Sequence, residues 1–263
     1  MKKLIYLVAA LTALILACAC ALAAAPAVLE QGADYEWSYE PYESGGVTVV
    51  YPELELGKDA GKNAAKLSRA INKNVLEDCL MYVRQFDMPE GAQLNVEPYE
   101  INIINGVVSM FFNGWYENSQ TAGTSVPAFA LNYSLKTGKR LLAGDFLNIK
   151  TLAKTLTKTG KFTDGQLSTL ESDGARDDNA EEIFAAQCDY VREMGYNDVY
   201  KLLKKSGATE KAVQCDAWVY IAPQYDGGDI TGVRAGVIMY VPSAIGGAAY
   251  FDIPDAAVSL ESK

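Results

Sequence analysis

Y-E-I-N-I-I-N-G-V-V-S-M-F-F-N-G-W-Y, residues 99–116, runs through a polar link into F-A-L-N-Y-S-L-K-T-G-K-R-L-L-A-G-D-F-L, residues 129–147. In the first part Tyr99, Ile101 and Ile103 alternate with Glu100 and Asn102, the period-two pattern of a strand with one buried face. Asn105-Gly106 follows at once, and both residue types tolerate positive φ, so a tight hairpin is expected there with its return strand from Val107 to Tyr116. In the second part Phe129, Leu131, Tyr133 and Leu135 alternate in the same way. Lys136-Thr137-Gly138-Lys139 then turns the chain, Leu141-Leu142 is expected to resume the sheet, and Asp145 stands where a helix N-cap would.

Working outward, Val47 to Tyr51 reads as a strand ended by Pro52, which cannot donate a ladder hydrogen bond. Gly61 to Phe86 is the clearest helix: Leu67, Ile71, Val75 and Cys79 recur at helical spacing, with Lys66, Arg69, Lys73 and Glu77 between them. Shorter helical patterns follow. Ile149, Leu152 and Leu156 mark one, Ile183, Phe184, Cys188 and Val191 another, and Asn197-Asp198 caps a last one through Leu203, stopped by Gly207. Three late strands are expected at Ala217–Ala222, Gly236–Val241 and Ala249–Ile253. The grouping of elements predicts an α+β fold, an antiparallel sheet of hairpins with a long helix and several short helices packed on it.

The 263 residues, 49% hydrophobic and 21% charged, supply ample core for one domain, expected over 47–263. Ahead of it, 24–46 forms a lead-in segment in which Tyr35, Trp37 and Tyr39 alternate with Glu36, Ser38 and Glu40, as an edge strand or an aromatic arm. Residues 1–23 read as an export signal, with Lys2 and Lys3 ahead of an uncharged run. Two processing sites are legible. Ile15-Leu16-Ala17-Cys18 resembles a lipobox, which makes Cys18 the lipidation candidate, while Ala21-Leu22-Ala23 suits ordinary signal peptidase. A third reading is an uncleaved anchor. A membrane is expected as a partner only through such a lipid or anchor.

Loss of residues 1–23 leaves 21 basic against 33 acidic side chains, a net charge of −12. That sign disfavours nucleic acid and anionic lipid and would steer a cationic partner, although a surface that is acidic simply for solubility explains it without one. Three cysteines remain, Cys79, Cys188 and Cys215, so one internal bridge at most is allowed. Cys188–Cys215 is the expected pair, because Cys79 falls on the apolar face of the long helix.

Val49-Val50-Tyr51-Pro52-Glu53-Leu54, the helix carrying Ala70-Ile71-Asn72-Lys73 and the stretch quoted first together resemble the RsiV-like extracellular domain of anti-sigma factors, a domain that also accompanies some peptidoglycan deacetylases. The resemblance covers Val47 to Asp255. It implies an α+β cell-envelope domain whose best-understood example senses lysozyme. Where the family usually has Gly-Ala-His before a proline, this chain has Gly123-Thr124-Ser125-Val126-Pro127, without the histidine. Only three residues precede the apolar run and the chain ends soon after its last strand, so the sensor-like module alone is expected, with neither a sigma-binding segment nor a deacetylase domain.

The chain has no histidine, so Ser-His-Asp and Cys-His nucleophilic sites and His-ligated zinc cannot be built. No glycine-rich nucleotide loop and no S-x-x-K pattern is present, and no cofactor is expected. Carboxylates cluster at Glu171, Asp173, Asp177, Asp178, Glu181 and Glu182 and again at Asp226-Gly227-Gly228-Asp229, without the spacing of an EF-hand. Solvated turns and an acidic helix start explain them equally well. Trp218 alternates within a core-like strand and is expected to be structural.

The binding residues expected are Trp115, Tyr116, Glu117, Asn118, Gln120, Thr124 and Pro127, at a strand end opening into a polar link. The function expected is a non-enzymatic, exported binding domain for a lysozyme-like cationic protein or a peptidoglycan glycan. The alternatives are a carboxylate-dependent enzyme acting on wall glycan and a purely structural envelope module.

Overall fold

The computed structural model describes residues 26–58, 62–85, 88, 90–118, 121–165, 179–207 and 216–260. Two sheets carry the fold. Sheet 1 holds β1 (Val28–Leu29), β2 (Tyr35–Ser44), β3 (Val47–Leu56), β4 (Gln93–Ile104), β5 (Val107–Asn118) and β6 (Thr121–Ser134), in the order β2-β3-β4-β5-β6 with β1 on the far end of β4. Sheet 2 holds β7 (Thr163–Asp164), β8 (Ala217–Asp226), β9 (Asp229–Tyr240) and β10 (Ala248–Ile253), in the order β7-β10-β9-β8. The helices are α1 (Ala64–Gln85), α2 (Ala143–Phe146), α3 (Ile149–Lys154), a π-turn at Thr155–Thr159 and α4 (Ala180–Lys205), which breaks at Gly195. The α+β class is as expected, but there are two sheets rather than one.

The β4–β5 hairpin forms as its turn chemistry dictates. Asn105 and Gly106 both take positive φ, 50° and 78°, the geometry that matches the twist of the strands on either side. One pairing in sheet 1 is parallel: Thr48–Val50 run beside Gln93–Asn95, because α1 carries the chain back across the sheet between them.

Alternation sorts sheet 1 into two faces. Val108, Met110 and Phe112 of β5, with Leu131 and Tyr133 of β6, turn toward α1, where the Tyr133 hydroxyl donates to buried Asp78 at 2.9 Å and Arg140 pairs with the same carboxylate. Ser109 and Phe111 face sheet 2, where Phe111 stacks on Tyr220 with centroids 4.8 Å apart. The opposite face of sheet 2, with Val219, Ile221, Val237 and Met239, closes a second core against Phe146, Leu152, Leu156, Val191 and Leu203 from the helices. From one side to the other the layers are therefore α1, sheet 1, sheet 2 and the remaining helices.

Several expectations are corrected. The strand from Val47 does not end at Pro52 but runs to Leu56. The Thr48 N–H points to Ala92 on the β4 side, and by alternation Pro52, Leu54 and Leu56 point the same way, to where β4 has already diverged. No ladder partner waits for Pro52, and the next two N–H groups are taken by the helix: Leu54 donates to Asn72 Oδ1 at 2.9 Å and Leu56 to Ser68 Oγ at 3.0 Å. Asp145 is not an N-cap. It lies inside α2 and accepts from the Leu142 N–H at 2.9 Å, while Asn148 caps α3. Leu141-Leu142 do not restart a strand; Arg140 makes an isolated bridge to Tyr133, and Leu141 donates one bond to Asn132. The last two short helices are present as expected, running together as the two halves of α4, because Gly195 leaves helical geometry at φ 75° and separates them.

Asn72 also donates to the Leu54 carbonyl at 3.1 Å, so one side-chain amide closes both backbone groups of that residue. Asn72→Leu strands them, and the expected loss is about 1–3 kcal/mol, read as a lower urea midpoint at unchanged slope. Lys73→Gln, on the exposed side of the same turn, is expected to change stability by less than about 0.5 kcal/mol.

Candidate functional site

The segment expected to be an open binding loop is a hairpin. β5 and β6 stay paired almost to their tips, Trp115 opposite Ser125, Tyr116 opposite Thr124 and Asn118 opposite Thr121. Ladder pairing is what an extended polar stretch adopts beside a strand already held in a sheet. The register slips between Gly114–Val126 and Phe112–Phe129, which places Pro127 at a bulge on the outermost strand of sheet 1, a position that tolerates its missing N–H. Gln120 lies outside the described residues. Glu117 pairs with Gln93 of β4, and Trp115 itself is half-buried.

Register brings the two aromatic groups of the sequence onto one face. Trp115 pairs with Asn95, Asn95 with Val50, and two residues along β3 Pro52 pairs with Tyr39. Residues two apart on a strand share a face, so Trp115, Asn95, Val50, Pro52, Tyr39 and Trp37 line the same side. Tyr39 is 43% exposed and meets Trp37 edge to face at 5.2 Å. The exposed Glu97 carboxylate lies close enough to raise the Tyr39 hydroxyl pKa, behind burial as the larger cause. Beneath this face the Asn95 amide nitrogen is buried without a hydrogen-bond partner among the described residues, although its oxygen accepts from Gln93 at 2.8 Å.

Further along the same side of sheet 1, Arg234 of β9 sits between the sheets. It reaches Glu100 at 2.6 Å and Asp252 at 2.7 Å and lies 5.8 Å from the Tyr220 ring centre. The two carboxylates hold its guanidinium pKa above the ordinary value against the opposing effect of burial. Tyr220 crosses β9 at Gly236, where a Cβ would stand 2.0 Å from its ring, so only glycine leaves that path open. With both acids engaged by one arginine, this cluster fastens the sheets rather than offering a proton donor and a nucleophile.

The acidic turn Asp226-Gly227-Gly228-Asp229 closes the β8–β9 hairpin, with both glycines at positive φ. Glu181 and Glu182 occupy the first turn of α4, where the macrodipole favours them. Glu171, Asp173, Asp177 and Asp178 lie outside the described residues, as do Cys18, Cys215 and the 1–23 segment. Cys188 is buried, and its expected pairing with Cys215 therefore falls outside them too. Trp218 is buried in the first core, as expected of a structural residue. Among the described residues no three Cys, Asp or Glu side chains converge as a metal site would require, and no helix is long and apolar enough to cross a membrane. Missed from the sequence was the place of Asn95 and Glu97 beside the aromatics; only the β2-β3-β4-β5 register joins them.

The fold is thus an α+β arrangement of two sheets, with an aromatic face on the first. No family model and no curated protein matches the chain. Among solved structures it is similar to a DUF3298 family protein of Pseudomonas aeruginosa PAO1, at 14% identity over 89% of this chain and 94% of that one, with a TM-score of 0.29. It is also similar to a member of the DUF3298 family from Bacteroides fragilis NCTC 9343, at 14% identity over 84% and 90% of the two chains, with a TM-score of 0.30.

The buried phenols and thiol around these layers carry a pH dependence of definite sign. Burial pushes the Cys79 thiol up to about 12, and burial followed by the nearby Tyr225, Asp34 and Glu36 pushes Tyr35 up to about 12. Burial raises Tyr133 and Tyr220 as well. These groups are neutral when protonated and their folded values lie above the unfolded ones, near 9 for the thiol and 10 for the phenols. Their contribution is therefore complete below about pH 9 and is lost as pH rises toward 12. Urea midpoints measured from pH 7 to 11 are expected to fall above pH 9, each group adding up to about 1.4 kcal/mol per pH unit. Cys79→Ala should make that fall shallower.

Proposed function

We propose that this chain is an exported, non-enzymatic binding domain of the bacterial cell envelope that holds a protein or wall glycan against the aromatic face of sheet 1. The observation that carries the reading is the shared face of Trp37, Tyr39 and Trp115, with an exposed carboxylate at Glu97 and an amide nitrogen at Asn95 that has no partner among the described residues. Aromatic rings with polar neighbours serve both protein anchors and sugar stacking, because their flat apolar area binds at little conformational cost. The export signal read at 1–23 supports the location, and the RsiV-like resemblance supports a sensor-like role. The net charge of −12 without that signal favours a cationic partner, of which lysozyme is the first to test. The Gly123 to Pro127 segment lacks the family's usual histidine, so contact in this chain rests on the aromatics instead.

Calorimetric titration of residues 24–263 with lysozyme at 20 and 150 mM salt is expected to show binding that weakens with salt. Tyr39→Ala and Trp115→Ala should each weaken it by about tenfold or more while leaving the thermal transition unchanged. Absence of heat at both salts removes lysozyme as partner. If soluble peptidoglycan fragments then also leave the tryptophan fluorescence unchanged, the binding reading falls.

A further inference from the structure

One segment of the helical layer behind sheet 2 carries a charge opposite to that of the whole chain. Residues 146–163 contain four lysines and no acidic residue, in a protein with 33 acids and 23 bases. Lys150, Lys154 and Lys158 are spaced four apart, which sets them in one stripe about 6 Å per step along the helix. All three are exposed, and none pairs with a carboxylate among the described residues. Such a stripe repels itself, and Lys150, at the second position of α3, also opposes the macrodipole. Lys154 and Lys158 stand in the last turns of their elements, where the macrodipole favours a cation, so helix stability accounts for them but not for Lys150 or for the even spacing.

The stripe borders a groove. The π-turn at Thr155–Thr159 brings Lys158 over the Tyr196 ring at 5.6 Å, and Tyr196 stacks on Tyr200 with centroids 6.0 Å apart. A cavity of about 310 Å³ lies between Lys150, Lys154, Lys158 and Tyr196. A second, of about 490 Å³, shares Asn148 and Lys150 with it and continues past Asp145, its one carboxylate, to Tyr200 and Lys204 on α4. π-turns concentrate at functional positions, because they cost helix geometry without improving packing.

We propose that this groove binds a polyol phosphate chain, with Lys150, Lys154, Lys158 and Lys204 pairing its phosphates and the edges of the Tyr196–Tyr200 pair bordering the polyol. Charges repeated at even steps suit a linear polyanion better than one compact anion. Lys158 already covers the Tyr196 face on which a nucleobase would stack, so a phosphodiester chain without bases fits best. This site is separate from the aromatic face of sheet 1 and stands whether or not that face binds its partner.

The test is fluorescence anisotropy of a labelled poly(glycerol phosphate) oligomer titrated with the full chain. Binding is expected at 50 mM salt and should weaken about tenfold or more at 200 mM. The triple variant Lys150→Gln/Lys154→Gln/Lys158→Gln should lose at least about tenfold in affinity, whereas Lys62→Gln/Lys66→Gln/Lys73→Gln, an equal charge change around α1, should stay within about twofold. Lys204→Gln, on the other wall, should weaken binding alone and keeps the test open if the triple variant folds poorly. The proposal is overturned by no binding at 50 mM salt, by equal losses in the two triple variants, or by no loss in Lys204→Gln. It is likewise overturned if an oligothymidylate, or vesicles of 30% phosphatidylglycerol in phosphatidylcholine, bind more tightly than the polymer.

Discussion

Every buried backbone N–H and C=O must find a partner, and in this protein two strand edges meet that demand with side chains instead of another strand. The unpaired edge of β8 lies against the face of sheet 1, where Asn132 donates to the Val219 carbonyl at 2.7 Å and Ser109 accepts from the Ile221 N–H at 2.9 Å. The far half of β3 is closed in the same way by Asn72 and Ser68 of α1. Without the first pair the two sheets would meet across orphaned polar groups, and without the second the strand could not continue past Pro52. Each such orphan would cost about 1–3 kcal/mol, comparable to the burial of a whole aliphatic side chain.

The same constraint separates what could be read in the sequence from what could not. Local signals were legible: Asn105-Gly106 specified its hairpin, the apolar stripe of α1 specified its buried face, and Cys79 and Trp218 are inside as their spacing required. The division into two sheets was not legible, because it depends on contacts such as Ser109 with Ile221 and Glu100 with Arg234, which join residues more than a hundred positions apart. Periodicity says that a strand has a buried face but not which neighbour buries it. Pro52 shows this sharply. The rule that proline stops a ladder is sound, yet the strand continues because the ladder on that side had already ended.

The candidate site divides along the same line. Its aromatic residues were visible in the sequence, but the segment from Trp115 to Pro127 was expected to be a loop on the strength of its polar composition. Composition cannot distinguish an open loop from a hairpin whose outer strand faces solvent, since both expose polar side chains. What makes the region a surface with shape is the β2-β3-β4-β5 register, which sets Tyr39 and Trp115 on one face although they are far apart in the chain.

Arg234 explains why that face stays in place. Clamped by Glu100 from sheet 1 and Asp252 from sheet 2, with Tyr220 against it, the guanidinium ties β4 to β9 and β10 just beyond the aromatic residues. Arginine suits this task because its planar fork serves two carboxylates at once without losing its charge. Replacing the cluster by hydrophobic residues of similar volume could leave the protein as stable. Packing alone, however, tolerates small sliding of one sheet over another, whereas three charged groups at hydrogen-bond distance admit one register. The clamp is therefore a device of specificity more than of stability, and it fixes the angle at which the far end of sheet 1 is set against sheet 2.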